Sequence, residues 1–476
     1  MKKILMVARF FPPEGSATSF RTLRFVRQLS KLGWNVTVVT ATPSQYERHD
    51  AKLVTTVPSQ VRVIRAKGYD LWQWFQSWRF RRIEQQSAGR QSDAARKPAV
   101  QGGGSLRAWA REMVRRVEAW WYQPDVDMPW IRPGVKACLD VCADQRPTII
   151  WANAGRLAAF RVVREVSKHT GVPYVLDFDD AWTVTSNDHD RRRPRAATGR
   201  IRRDMYELLK GAHAVVFRYE SEAECFWRAY RGALQASRVY IIPNGFEAPI
   251  DRFEAPAGER CTVLYSGTLP DYRYDTLLSA LGMLKEQDPE GAKQLLLRFV
   301  GEGMEPLAAE VNARGLSAMV ETSGPTSFDE VSRLQREAHA LLALGRPATM
   351  KGYELFAGAK LFGYLKGGRP IIGVLPPDET KQALIRVGVR TIADVDSVPE
   401  IVAVLQMLLA KWSARDLESL VPDRKACEAY SSERQTEILV RALEGVPPEK
   451  PFVPGAQPIP PSLREIEDPK WLEGGR

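Results

Sequence analysis

Cysteine is scarce in this chain and does not cluster. Five residues, Cys138, Cys142, Cys225, Cys261 and Cys427, are scattered over 476 positions, odd in number and without the spacing of a metal site. This argues against a disulfide framework or a zinc module and predicts reduced thiols; Cys138 and Cys142, four apart on an expected helix, fit as small core residues. Long apolar runs are missing as well. No stretch approaches the ~18 uncharged apolar residues of a membrane-spanning helix. The first apolar run ends at Ala8, before Arg9 and the pair Pro12-Pro13, short of the ~7–15 residues of a signal-peptide core. The expectation is a first buried strand in a cytoplasmic protein. No nucleic-acid recognition module is present and the basic residues are dispersed, which counts against a nucleic-acid partner.

What is present is enough apolar material, 44%, for packed domains, and enough length for two of them. The formal net charge of +11 calls for an anionic partner such as a nucleotide diphosphate or an anionic lipid surface.

Lys3 to Ala8 predicts a strand buried on both faces. Phe20, Leu23, Val26, Leu29 and Leu32 then recur at helical spacing, Gly33 ends the helix, and Val36 to Thr40 forms the next strand. This βαβ unit implies a parallel sheet. Between about 70 and 128 the rhythm is lost in an aromatic and basic insertion with a low-complexity centre, Ser87 to Ser105. It resumes at Thr148–Trp151, Tyr174–Leu176, Ala214–Phe217 and Val239–Ile242. A second series follows at Thr262–Tyr265, Leu295–Val300, Ala340–Leu344 and Pro370–Val374. The predicted class is therefore α/β, with two doubly wound, Rossmann-like parallel-sheet domains over 1–245 and 246–445 and a proline-rich, extended tail over 446–476. Ligands of such sheets bind beyond the carboxyl ends of the strands, so both domains should face a central cleft.

Candidate site residues fall at those strand ends. Gly15 and Ser16 open the first helix, where a close backbone approach and free N–H groups suit an anion, or where Ser16 merely caps. Arg21, one turn on, faces the same site or solvent. Asp177 and Asp180, with Asp179 between them, end a strand; they orient a hydroxyl, hold a metal through oxygen, or cap a helix. Gly267 and Thr268 precede Arg273. Gly301 and Gly303 form a turn after an apolar strand. Lys360 lies in a helix beginning after Gly358, so its ammonium and the helix dipole can address one phosphate. His189 sits in a very basic loop. In the insertion, Leu106, Trp109, Met113, Val117 and Trp120 share a helix face, with arginines on the others, and Leu71, Trp74, Phe75 and Trp78 look alike. Segments 71–82 and 106–121 thus suit an anionic membrane surface, or pack their tryptophans on the first domain.

Three of these motifs, Phe10 to Gly15, Pro243-Asn244-Gly245 and Lys360 to Pro370, together resemble the sugar-nucleotide-dependent glycosyltransferases of family 4. The resemblance implies the GT-B architecture and transfer of a hexose-like sugar from a nucleotide-diphosphate donor to a surface-glycan or lipid-linked acceptor. It implies a retaining outcome, no essential metal and no cofactor; the aromatic and basic segments, for their part, would put a cytoplasmic protein on the inner face of the cell membrane. The resemblance further implies a donor diphosphate against Arg273 and Lys360, with Gly15 and Ser16 closing over it, Gly267 and Thr268 beside it, and Gly301 and Gly303 near the base. Asp177 to Trp182 resembles an Asp-x-Arg-Asp-x-Trp of one branch. At Gly363 the family has a glutamate on the donor ribose, and Glu354 lies one residue from its other glutamate. The loss at Gly363 leaves a second expectation, a non-catalytic relative serving as partner or regulator in membrane glycan assembly.

Overall fold

The computed structural model describes residues 2–46, 48–68, 127–153, 155, 157–181, 184, 195–247, 249–270, 272–346 and 352–467. The aromatic insertion, His189 and the membrane segments 71–82 and 106–121 lie outside these residues.

The first lobe runs β1 (Lys3–Ala8), α1 (Ala17–Lys31), β2 (Asn35–Ala41), β3 (Arg62–Ala66), α2 (Met128–Gln145), β4 (Ile149–Asn153), α3 (Leu157–Thr170), β5 (Tyr174–Asp177), α4 (Arg195–Gly211), β6 (Ala214–Phe217), α5 (Glu220–Ala229) and β7 (Val239–Ile241). Among the described residues its sheet has seven parallel strands in the order β3-β2-β1-β4-β5-β6-β7. β1 is central and carries apolar side chains on both faces. Leu5 and Val7 join one core, with Phe160 and Phe217; Ile4 and Met6 join the other, with Leu23, Val26 and Leu29 of α1. Each such burial contributes about 1.5–3 kcal/mol. Gly33 ends α1 at φ +80°, a left-handed position that suits glycine.

The second lobe runs β8 (Cys261–Ser266), α6 (Asp275–Gln287), α7 (Pro289–Gln294), β9 (Leu295–Val300), α8 (Glu305–Ala313), β10 (Val320–Ser323), α9 (Phe328–Glu337), β11 (Ala340–Leu344), α10 (Ala359–Lys366), β12 (Ile371–Leu375), α11 (Glu379–Arg386), β13 (Ile392–Asp394), α12 (Val398–Ser413), α13 (Arg424–Cys427) and α14 (Ser432–Glu444). Its described strands, six in number and also parallel, take the order β10-β9-β8-β11-β12-β13.

The chain crosses between lobes twice at one place. Phe246 pairs with Ser431 as an isolated bridge, Phe246 N donating to Tyr430 O at 3.0 Å and Ser432 N to Phe246 O at 2.8 Å. Gly245 sits so tightly here that a Cβ would lie 2.1 Å from Tyr430 O. After the second crossing, α14 packs on the first lobe: Leu439, Ala442 and Leu443 belong to the core under α1. The proline-rich tail is held too, with Phe452, Ile459 and Leu463 buried in the other first-lobe core. Leu439, Ala442, Leu443, Phe452, Ile459 and Leu463 thus follow the second sheet in sequence but are buried in the first lobe. The carboxyl ends of the two sheets approach one another where Ser221, just after β6, donates to Glu379, just after β12.

All five cysteines are free and buried, and burial pushes Cys225, Cys261 and Cys427 up to about 12, so these thiols are held protonated. Among the described residues no helix is long and apolar enough to cross a membrane.

Candidate functional site

Beyond the carboxyl ends of β8, β9 and β11, glycine permits a close stack of turns. Gly267 has φ +130° and Gly301 φ +144°, conformations closed to other residues. A Cβ on Gly301 would lie 2.2 Å from Gly267 O, and one on Gly267 would lie 2.2 Å from the Lys360 side chain. The turns are tied by Gly267 N to Val300 O at 2.8 Å and Leu269 N to Glu302 O at 3.0 Å. Gly303 turns the chain against Pro270, and Thr268, exposed, donates to Glu302 at 3.3 Å.

Lys360 lies in the first turn of α10. Its ammonium donates to Tyr265 Oη at 2.8 Å and to Thr268 O at 3.3 Å, and sits 4.3 and 4.8 Å from the ring centres of Tyr265 and Tyr272. Among the described residues no carboxylate forms an ion pair with it. Burial, with a smaller contribution from Arg346, lowers its pKa to about 8. The Arg346 guanidinium, at the end of β11, lies 3.8 Å from the Phe356 ring centre and 5.9 Å from that of Tyr272. Two cations are thus held on aromatic faces beside a helix N-terminus, an arrangement suited to an anion.

The other predicted second-lobe residues are placed differently. Arg273 is ion-paired with Asp396 from the loop after β13, and its N–H reaches Gly345 O at 3.2 Å. Glu354 is 8% exposed and accepts from the backbone N–H and the hydroxyl of Ser462 in the tail. Both of its oxygens thus accept a hydrogen bond from the chain itself. Gly363 is exposed, and a Cβ there would meet nothing within 4 Å.

In the first lobe, Gly15 is half-buried beside Asp50, and Ser16 is the N-cap of α1 without capping it. Instead Ser16 donates through N (3.0 Å) and Oγ (2.6 Å) to Glu14 Oε2. Arg21 and Asp177 are both 0% exposed and joined twice, Nε to Oδ2 at 3.0 Å and Nη2 to Oδ1 at 2.8 Å. Arg21 also donates to Ile242 O at 2.9 Å, Pro243 O at 3.1 Å and Asn244 Oδ1 at 3.3 Å. Burial opposes the guanidinium charge, but the Asp177 carboxylate outweighs it and raises the Arg21 pKa. Asp177 is therefore a buried strut between β5, α1 and, through Arg21, the lobe junction. Asp180 is exposed and accepts from Ala181 N at 2.8 Å. The expected acid trio does not converge: among the described residues no three His, Cys, Asp or Glu side chains gather as a metal site.

No protein-family model matches the chain, and no curated protein sequence does. Solved structures do match over nearly the whole length. Sucrose-phosphate synthase from Thermosynechococcus elongatus superposes with a TM-score of 0.59 at 13% identity, over 93% of this chain and 98% of that one. TarM gives 0.58 at 11% identity, over 93% and 99%. WaaG, a glycosyltransferase involved in lipopolysaccharide biosynthesis, gives 0.51 at 14%, over 93% and 100%. The fold is GT-B. In a GT-B frame the cluster around Lys360 lies on the cleft side of the second lobe, at the carboxyl ends of its strands. Sequence reasoning missed Tyr265, Tyr272 and Arg346 there. Arg346 lies two residues after the apolar run of β11, a strand-end position that was available as a signal. Ser462 had none, because its contact spans 108 residues.

Proposed function

We propose that this chain is a glycosyltransferase that moves a sugar from a nucleotide-diphosphate donor to a glycan or lipid-linked acceptor. The observation that carries this is the Lys360 ammonium, held without an acid partner among the described residues at a helix N-terminus on the cleft side of a GT-B lobe. A cation there stabilises negative charge as the diphosphate leaves, an interaction stronger in the transition state than in the ground state. Arg346 adds to the same field. With the leaving diphosphate itself as base, the reaction retains configuration and needs neither metal nor cofactor. We extend the reading to an acceptor presented at an anionic membrane, reached through 71–82 and 106–121. Cosedimentation with vesicles containing phosphatidylglycerol, absent with phosphatidylcholine alone and weakened by Trp109→Ala with Trp120→Ala, is the expected result.

The donor is tested by thermal stabilisation with UDP, GDP, ADP, CMP and dTDP, with and without magnesium. UDP leads because a TarM variant was solved with fondaparinux, alpha-GlcNAc-glycerol and UDP. A shift with one nucleotide, lost in Lys360→Ala, supports the donor site and names its base. No shift at millimolar nucleotide favours the second reading, a non-catalytic relative acting as partner or regulator in membrane glycan assembly. That reading is favoured by Gly363, which offers no carboxylate for a ribose, and by the engagement of Glu354 and Arg273 within the chain.

A further inference from the structure

Beyond α14 the chain returns along the first lobe and then reaches the second. Residues 447–460, without regular structure, lie against α5. Lys450 Nζ donates to Glu220 Oε1 at 2.6 Å, Gln457 Nε2 to Glu220 Oε2 at 3.0 Å, and Gly455 N to Glu224 Oε2 at 2.8 Å. Phe452 is buried beside Trp227, with ring centres 6.1 Å apart. The turn over Pro461–Glu467 then meets the connection between β11 and α10. Ser462 N donates to Glu354 Oε1 at 3.0 Å, Ser462 Oγ donates to Glu354 Oε2, and Gly352 N donates to Ser462 Oγ at 2.8 Å. Leu463 and Leu355, 0% and 2% exposed, belong to the same first-lobe core. The tail is a strap with one end on α5 and the other on a buried carboxylate of the second lobe.

That carboxylate sits in the described segment 352–358, which leads directly into α10 and Lys360. Without the Ser462 hydroxyl the buried carboxylate keeps its desolvation penalty with only the backbone N–H of residue 462 to offset it, and Gly352 N loses its acceptor, so 352–358 rearranges. We propose that Ser462 is a positioning residue: by holding Glu354 it fixes the segment 352–358 at the entry of α10, and with it the placement of Lys360 for a diphosphate. The inference rests on the donor-site reading above.

The test uses the full chain as wild type, Ser462→Ala, Ser462→Thr and Lys360→Ala, followed by hydrogen exchange and by titration with the nucleotide that wild type binds. Ser462→Ala should speed exchange across 352–366, leave β1 and β8 unchanged, and weaken the nucleotide roughly tenfold, the scale of a lost charge-assisted hydrogen bond. Ser462→Thr, which keeps the hydroxyl, should restore both. Unchanged exchange in Ser462→Ala overturns the proposal, as does faster exchange with wild-type affinity. A general loosening that Ser462→Thr does not rescue overturns it too. Should wild type bind none of the five nucleotides, the donor reading falls by itself. Exchange over 352–366 then still decides whether the strap holds Glu354.

Discussion

Lys360 combines a short side-chain reach, two aromatic faces and a helix N-terminus, and its charge comes at a cost in the folded protein. With an ordinary value of 10.5 and a folded value of about 8, both states carry the proton below about pH 8, and the burial penalty is then fully present. As pH rises from about 8 towards 10.5 the folded state gives up its proton first, so stability increases through this window. Binding of a diphosphate should run the other way, falling by about tenfold per pH unit above pH ~8, where the ammonium is lost. Calorimetric titration between pH 6.5 and 9.5 checks this, and Lys360→Ala should flatten the profile. Gly363 offers the complementary residue-scale test. Its missing Cβ would meet open space, so Gly363→Glu should stabilise α10 by about 0.5–1 kcal/mol through helix propensity. If a ribose lies over this position, the new carboxylate should also tighten nucleotide binding roughly tenfold, on the scale of a hydrogen bond to a charged group. Thermal melts and titration read the two effects separately.

At the scale of elements, central strands were legible in the sequence and three of the four described edge strands were not, β7 being the exception. β1, β9 and β11 are near-continuous apolar runs because both faces are covered. β3, β10 and β13 escaped notice because they are edge strands of the two sheets, short and half-exposed, with sequences such as Val320-Glu-Thr-Ser323. The helix carrying Lys360 could be placed after Gly358, since glycine before an apolar helical repeat marks a start. α11 adds a device that sequence alone does not expose. Its N-cap, Asp378, is 3% exposed and accepts from Lys381 N at 2.8 Å. Burial pushes its carboxyl up from 3.8 to about 7, against the pull of that N–H. The folded state therefore holds a proton that the unfolded state has released between about pH 4 and 7, and this group's contribution to stability falls as pH rises through that window. Asp378→Asn keeps the cap and removes the titration. It should be more stable than wild type at pH 8 by a few kcal/mol and similar at pH 4, as denaturant unfolding at both values will report.

Across the whole molecule, two buried links shape the first lobe at and beyond the lobe junction. Arg21 joins Asp177 to three groups of the junction, at Ile242, Pro243 and Asn244. Asp177→Asn leaves that guanidinium buried and unpaired, and should cost about 3–5 kcal/mol in urea unfolding. If Asp177 worked on an acceptor instead, the loss would fall on turnover with stability kept. The second link is the return of α14 and the strap to the first lobe, which puts Leu439, Ala442 and Leu443 in the core begun by residues 4–29 and Phe452, Ile459 and Leu463 in the other.

By itself the sequence determined the α/β class, the two parallel sheets, the positions of their central strands and the glycine turns at strand ends. These follow from local pattern: apolar runs where both faces are covered, helical spacing, and turn residues. Only the tertiary structure decided what the charged residues do. Asp177 and Glu354 are engaged by Arg21 and Ser462, 156 and 108 positions away. Arg273 meets Asp396 across 123 positions, while Lys360 meets no acid among the described residues. Whether a charge is free for a ligand depends on which distant group packs beside it, and nothing in its own neighbourhood of sequence specifies that group.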